Sequence, residues 1–145
     1  RSLGTRSDQA VDELNLGMAE LYAGNNEVAR GHLESAAQIA GEVGYKAFEY
    51  EARIHLGASI AIAGDLDAGE TMCRAAQEMA SDATLTYLER VADQHLLHIA
   101  ILRGDKKGTE SMLGRCQEVD ASELSPLLLG RLSMLRQLAR PLLRE

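Results

Sequence analysis

The fold is decided by the stretch AGNNEVARGHLESA at residues 23–36, because its pattern returns twice at intervals of 40 residues. It reappears as AGDLDAGETMCRAA at residues 63–76 and as RGDKKGTESMLGRC at residues 103–116. The second residue of each stretch is a glycine that is followed at once by a helix-capping residue, in the pairs Gly24-Asn25, Gly64-Asp65 and Gly104-Asp105. A fixed period of this length is typical of a helical repeat array.

The agreement between copies extends from the glycines into columns of small or apolar residues. Leu16 corresponds to Leu56 and Leu96 in the first half of each copy. The other matching columns are Gly17, Gly57 and Leu97; Leu33, Cys73 and Leu113; Ala36, Ala76 and Cys116; and Ile39, Met79 and Val119. These columns predict three copies, at about residues 8–44, 45–84 and 85–122.

Each copy predicts two helices, because its apolar residues recur three and four positions apart. We expect helices at about residues 8–23 and 26–40, 46–63 and 66–80, and 85–103 and 106–119. The glycine between paired helices accepts a left-handed backbone and ends the first helix. The Asn or Asp that follows offers a side-chain oxygen to the free amides of the second helix.

Residues 125–145 predict one further helix. Ser125-Pro126 is typical of a cap followed by a first-turn proline, so the helix spans about residues 126–140, and Pro141 ends or kinks it. One side of this helix carries Leu128, Leu132, Leu135 and Leu138. Because the segment fits the 40-residue register poorly, we interpret it as a capping helix or a truncated fourth copy.

The overall pattern predicts a single all-α domain over residues 1–145. No segment of the sequence shows the sustained period-two alternation that predicts a strand. The expected architecture is a right-handed superhelical solenoid of about three helix-turn-helix repeats with a C-terminal capping helix. Since the sequence begins with Arg1 rather than Met, we interpret it as a fragment of a larger protein.

Composition limits the class of protein and its compartment. No apolar run approaches the roughly 20 residues that span a bilayer, and no signal-peptide pattern is recognised, so we expect a cytoplasmic protein without a membrane partner. Cys73 and Cys116 fall in apolar columns, which favours buried free thiols, although a disulfide between second helices is an alternative. The aromatic content is only 3%, so the core must be built from Ala, Leu, Ile and Met.

The charge is unevenly distributed along the chain. The net charge of −7 argues against direct binding to nucleic acid. Residues 125–145 nevertheless carry +3, with arginines at 131, 136, 140 and 144, whereas the remainder carries −10. These arginines form either a solvated polar face or a docking surface for an acidic partner.

The repeated residues resemble the tetratricopeptide repeat. In copy one the resemblance rests on Leu16-Gly17, Tyr22, Gly24-Asn25, Ala29, Leu33 and Ala36, and in copy two on Leu56-Gly57, Gly64-Asp65, Ala68, Cys73 and Ala76. That repeat usually has about 34 residues. The 40-residue form is similar to arrays in bacterial signalling ATPases and LuxR-type transcription regulators. Copy three departs from the pattern at Leu97 and Thr109, so we expect it to pack more loosely or at another angle.

In the tetratricopeptide family the first helices line a concave groove that binds protein or peptide segments. The resemblance places nine residues there: Asn15, Met18, Tyr22, His55, Ala58, Ile62, His95, His98 and Leu102. Some members clamp a peptide carboxylate with Lys and Asn, but the matching positions here hold Leu14, Met18, Ile54, Ala58, Gln94 and His98. We therefore expect an apolar or amphipathic segment as the ligand.

We expect no metal, no cofactor and no enzymatic activity. The sequence has no glycine-rich phosphate loop, no nucleophile elbow and no cysteine set at metal-binding spacing. The groove histidines are interpreted as ordinary polar residues, because equivalent positions on neighbouring helices are about 8–10 Å apart. The sequence thus favours a non-catalytic protein-binding scaffold, a sensor or docking segment of a signalling or transcription regulator. The alternative is a structural segment that packs against another domain or forms a homodimer.

Overall fold

A computed structural model of the protein describes residues 5–144. Residues 1–4 and 145, which the single-domain prediction includes, lie outside this range. The described residues form seven α-helices, one short 3₁₀ turn (Ala121–Glu123) and no strand, which confirms an all-α protein. The helices are α1 (Arg6–Tyr22), α2 (Asn26–Val43), α3 (Lys46–Ile62), α4 (Leu66–Asp82), α5 (Thr86–Arg103), α6 (Lys106–Gln117) and α7 (Pro126–Leu143). Every predicted helix is present, with ends displaced by no more than a few residues.

The turns inside the copies follow the predicted pattern, with one exception. Gly24, Gly64 and Gly104 have φ angles of +88°, +121° and +70°, a conformation that suits glycine. The carboxylate of Asp65 accepts a hydrogen bond from the amide of Ala68, and Asp105 does the same for Gly108. The predicted side-chain cap at Asn25 is wrong, because its side chain accepts no capping hydrogen bond.

The residue after Asn25 connects copy one to copy two. The side-chain amide of Asn26 donates to the carbonyl of Ser59 on α3 at 2.9 Å. The hydroxyl of Ser59 donates in return to the carbonyl of Asn26 at 3.2 Å. This reciprocal pair fixes the start of α2 against the last turn of α3.

Glycines bring the helices of copies one and two close together. A Cβ on Gly17 would lie 2.6 Å from the Leu33 side chain, and one on Gly57 would lie 2.7 Å from Cys73 Sγ. In copy three the corresponding residue Leu97 is fully buried. Helices α5 and α6 pack less extensively than α1 and α2 or α3 and α4, but α6 is also shorter, with 12 residues, so the looser packing expected for copy three stays a prediction.

Helix α7 occupies the position of a first helix. It begins 40 residues after α5, and it packs on both α5 and α6. Contacts also join α1 to α3, α3 to α5 and α5 to α7, so the first helices form a continuous row. Leu128, Leu132 and Leu135 are buried, as expected of a helix that covers the apolar end of copy three.

Pro141 does not end α7, which was one of the two effects that the sequence predicted for it, an end or a kink. The helix continues through it to Leu143. A proline inside a helix removes the hydrogen bond to the carbonyl four residues earlier, here that of Gln137. Both Pro141 and Gln137 are exposed, so water can solvate the unpaired carbonyl.

Both cysteines are buried free thiols, as the apolar columns predicted. Burial raises the pKa of each thiol to about 12, and Cys73 Sγ donates to the carbonyl of Ile54 at 3.3 Å. These thiols are therefore unreactive core residues. Across the described helices, none combines the length and the apolar content that a membrane span requires.

Candidate functional site

A cleft of about 310 Å³ opens on the row of first helices. All four helices of that row, α1, α3, α5 and α7, contribute side chains to it. Its walls are mainly apolar, and its polar groups are a phenol, two imidazoles and one guanidinium. The lining residues are Leu21, Tyr22, Ile62, His95, His98, Leu127, Arg131 and Met134.

Four of the nine predicted groove residues line this cleft: Tyr22, Ile62, His95 and His98. The other five do not. Asn15 and Leu102 are exposed outside it, and Met18 is half-buried against the core of copies one and two. Ala58 is buried in that same core, and His55 is buried behind the Tyr22 ring, so placing these two in an exposed groove was wrong.

The expected separation of the histidines was also wrong. His55 Nδ1 lies 3.0 Å from His95 Nε2, and both rings are almost completely buried. The axes of neighbouring helices are about 8–10 Å apart, but side chains that extend towards each other span that distance. The two imidazoles therefore form one hydrogen-bonded pair between α3 and α5.

A chain of polar groups runs from Arg131 to Glu51 through this pair. Arg131 Nη2 lies 3.5 Å from His95 Nδ1, and His55 Nε2 lies 3.7 Å from Glu51 Oε2. A guanidinium can only donate, so His95 Nδ1 accepts and its Nε2 proton is donated to His55 Nδ1. His55 then carries its proton on Nε2, directed towards Glu51. At 3.7 Å Glu51 is too distant for a hydrogen bond, so His55 Nε2 has no hydrogen-bond partner among the described residues.

Burial keeps this part of the cleft free of extra positive charge. Desolvation holds the pKa of His95 well below its ordinary value, and neighbouring His55 and Arg131 lower it further. Desolvation also lowers the pKa of His98, with Arg131 as the second cause. Partial burial of Tyr22 raises its pKa, against the opposing effect of Arg131. At neutral pH the cleft therefore presents neutral rings around a single guanidinium.

The position of that guanidinium within the cleft is the main feature that the sequence did not predict. Arg131 lies over the Tyr22 ring, with Cζ 5.0 Å from the ring centroid, an arrangement that favours a cation–π contact. The sequence indicated that the arginines of residues 125–145 form a polar face or a docking surface, but it did not connect Arg131 with the groove of the three copies. The 40-residue register places Arg131 in the column of Glu51 and Val91, which do not line the cleft, so the register alone does not indicate that Arg131 lies there.

The other arginines of α7 occupy a different surface. Arg136, Arg140 and Arg144 are exposed and, with Leu113, Gln117 and Leu143, surround a shallow depression beside α6. The basic segment thus divides into one arginine in the cleft and three on an outer face. Among residues 5–144, no three His, Cys, Asp or Glu side chains are arranged so that they could hold a metal ion.

Comparison with known proteins adds no assignment: no family model matches the chain, and neither a curated protein nor a solved structure matches it.

Proposed function

We propose that this chain is a non-catalytic scaffold that binds a protein or peptide segment in the cleft of a tetratricopeptide-like array. The proposal includes a right-handed superhelical course of the repeats and a role as a sensor or docking segment of a larger cytoplasmic signalling or transcription regulator. The observation that carries it is the cleft itself. Its apolar side chains come from four successive first helices, which is where such arrays bind their ligands.

The exposed apolar side chains of the cleft support binding rather than a closed core. Ile62, Leu127 and Met134 are each more than 40% exposed although they line a concave surface. When a ligand covers apolar groups in a concave surface, the complex is stabilised by about 25 cal/mol for each Å² of apolar surface removed from water. A segment with apolar side chains is the ligand that these walls favour.

A test is to select binders from random dodecapeptides displayed on phage and to measure the affinity of the best ones by fluorescence anisotropy. Ile62→Glu places a charge in the cleft and should weaken binding by at least about tenfold. Val28→Glu is the matched control, because Val28 is equally apolar, 53% exposed and outside the cleft. Failure to select any peptide that Ile62→Glu weakens would contradict the proposal.

The second candidate is an oligomerisation segment. It is favoured by Leu127, Met134 and Leu138, which form an exposed apolar stripe along α7 at spacings of seven and four residues. A second copy could cover this stripe. Sedimentation at increasing concentration separates the two functions: a monomer at high micromolar concentration supports peptide binding, whereas a tight dimer that Leu138→Glu dissociates supports association.

A further inference from the structure

The half-buried charge of Arg131 forms no ion pair with a carboxylate of residues 5–144. Among the described residues, ion pairs occupy the guanidinium groups of Arg6, Arg30, Arg53, Arg74, Arg103 and Arg115. No described Asp or Glu forms such a pair with Arg131, whose contacts are the Tyr22 ring and a long hydrogen bond to His95. A partly desolvated cation is costly unless an anion neutralises it.

Within the part of the chain that the structure describes, no anion neutralises Arg131. The nearest anion in the polar chain, Glu51, is separated from Arg131 by the two imidazoles of His55 and His95. His95 accepts only one weak hydrogen bond from the five N–H groups of the guanidinium. The remaining donors are available to the cleft, and a carboxylate matches their planar geometry.

The surroundings of Arg131 define the rest of the ligand. On α7 it is flanked by Leu127 one turn before, by Met134 one turn after and by Leu138 two turns after. Ile62 of α3 forms another apolar wall of the cleft. The cation therefore lies within an apolar strip rather than at its end, so the matching carboxylate lies within an apolar segment.

The length of the strip favours a peptide over a small acid. Leu138 follows Met134 by one turn on α7, and Leu102 follows His98 by one turn on α5. Both leucines are 47% exposed and lie beyond the cleft. The apolar surface thus continues along two neighbouring helices past the volume that a single small molecule would fill.

We propose that the cleft binds an apolar peptide segment that places an internal acidic side chain, Asp or Glu, against the guanidinium of Arg131. Leucine-sized side chains on either side of that acid contact Ile62, Leu127 and Met134. This inference rests on the proposed function, since it names the chemistry of the segment that the same cleft binds.

The test uses pools of nonapeptides with acetylated and amidated ends, each with Leu, Ile, Ala or Ser at eight positions. The fifth position is Glu in one pool, Gln in the second and Lys in the third; a fourth pool has Gln there and a free terminal carboxylate. Immobilised protein is exposed to each pool, retained peptides are identified by mass spectrometry, and the best are measured by fluorescence anisotropy. The Glu peptides should bind at least about tenfold more tightly than their Gln counterparts.

Variants of the arginine test the assignment directly. Arg131→Met should abolish the preference for Glu over Gln while apolar binding persists, and Arg131→Lys should restore part of it. Arg136→Met is the matched control, because Arg136 is an exposed arginine of the same helix, and it should retain the full preference. Circular dichroism and a melting curve show whether each variant is folded.

The possible outcomes separate this inference from the proposed function. Suppose that peptides bind and that Ile62→Glu weakens them, but that the Glu and Gln peptides bind equally tightly. This result overturns the inference and leaves the proposed function standing. A preference for the free terminal carboxylate over the internal Glu, or hexanoate binding as tightly as the best Glu peptide, also overturns the inference. If no pool binds, the proposed function fails with it.

Discussion

The paired helices of copies two and three pack through different kinds of residue at the same repeat positions. In copy two, α3 and α4 meet through glycines, and a Cβ on Gly57 would lie 2.8 Å from the carbonyl of Gly69. In copy three, the same columns hold Leu97 and Thr109, which are both completely buried, and α5 and α6 pack less extensively. An identical 40-residue register is thus compatible with backbone contact in one copy and side-chain contact in the next.

Copy three also buries several polar residues. Because α5 is covered by α3, α4, α6 and α7, even its polar residues Asp93, Gln94 and His95 are buried. Each finds a partner: Asp93 accepts from Arg115 and Gln77, and Gln94 donates to the carbonyl of Leu128. Copy three therefore combines buried side chains between α5 and α6 with separate polar contacts that connect α5 to α3, α4, α6 and α7.

The largest expected effect comes from removing the side chain that separates α5 and α6. Leu97→Ala should destabilise the protein by about 2–5 kcal/mol, because a fully buried leucine leaves a cavity that its surroundings only partly fill. Urea unfolding of the variant against Leu102→Ala measures it, since Leu102 is an exposed leucine of the same helix and should change stability by less than about 0.5 kcal/mol. Equal effects at the two positions would contradict the packing described for copy three.

The complementary change adds a methyl group to copy two. Gly57→Ala should destabilise the protein by about 1–3 kcal/mol, because the new Cβ meets backbone as well as Cys73 and cannot be relieved by a side-chain rotation. Gly31→Ala on α2 is the control: a Cβ there meets nothing within 4 Å, so the substitution should stabilise by roughly 0.5–1 kcal/mol. If Gly57→Ala and Gly31→Ala shift the melting temperature in the same direction, the close backbone contact described for copy two is contradicted.

The buried imidazole of copy three predicts a dependence of stability on pH. The folded pKa of His95 is depressed by desolvation, so only the unfolded chain gains a proton there as the pH falls from 7.5 to 5.5. The unfolded state then binds more protons, and the free energy of unfolding should fall by roughly 1 kcal/mol from this residue. Urea unfolding at both pH values, for wild type and His95→Gln, measures it; a variant with an undiminished decrease would refute the assignment.

The repeat period accounts for most of what could be predicted from the sequence. Helix boundaries, the positive φ angles of Gly24, Gly64 and Gly104, and the close contact at Gly57 all follow from local geometry that recurs at fixed spacing. The candidate cleft was only half predicted, because it depends on which side chains meet across helices. The position of Arg131 within the cleft was not predicted, since its column holds Glu and Val in the copies before it, and these do not line the cleft.

The smallest expected effect concerns the turns between copies, which differ as the pairs do. Gly44 follows α2 with φ +78°, and 40 residues later Thr84 occupies the same place after α4 with φ +58°. A β-branched residue in the left-handed region is strained by about 1–2 kcal/mol, whereas glycine adopts it freely but loses roughly 0.5–1 kcal/mol more backbone entropy on folding. The strain exceeds the entropy loss, so Thr84→Gly should stabilise the protein by roughly 0.5 kcal/mol.

Gly44→Thr should destabilise the protein by a similar amount. The double variant should be about as stable as the wild type, because the effects of substitutions at distant sites are additive. Melting curves of the three variants decide the sign; destabilisation by Thr84→Gly would mean that the hydrogen bond from its hydroxyl to the carbonyl of Ala83 outweighs the strain.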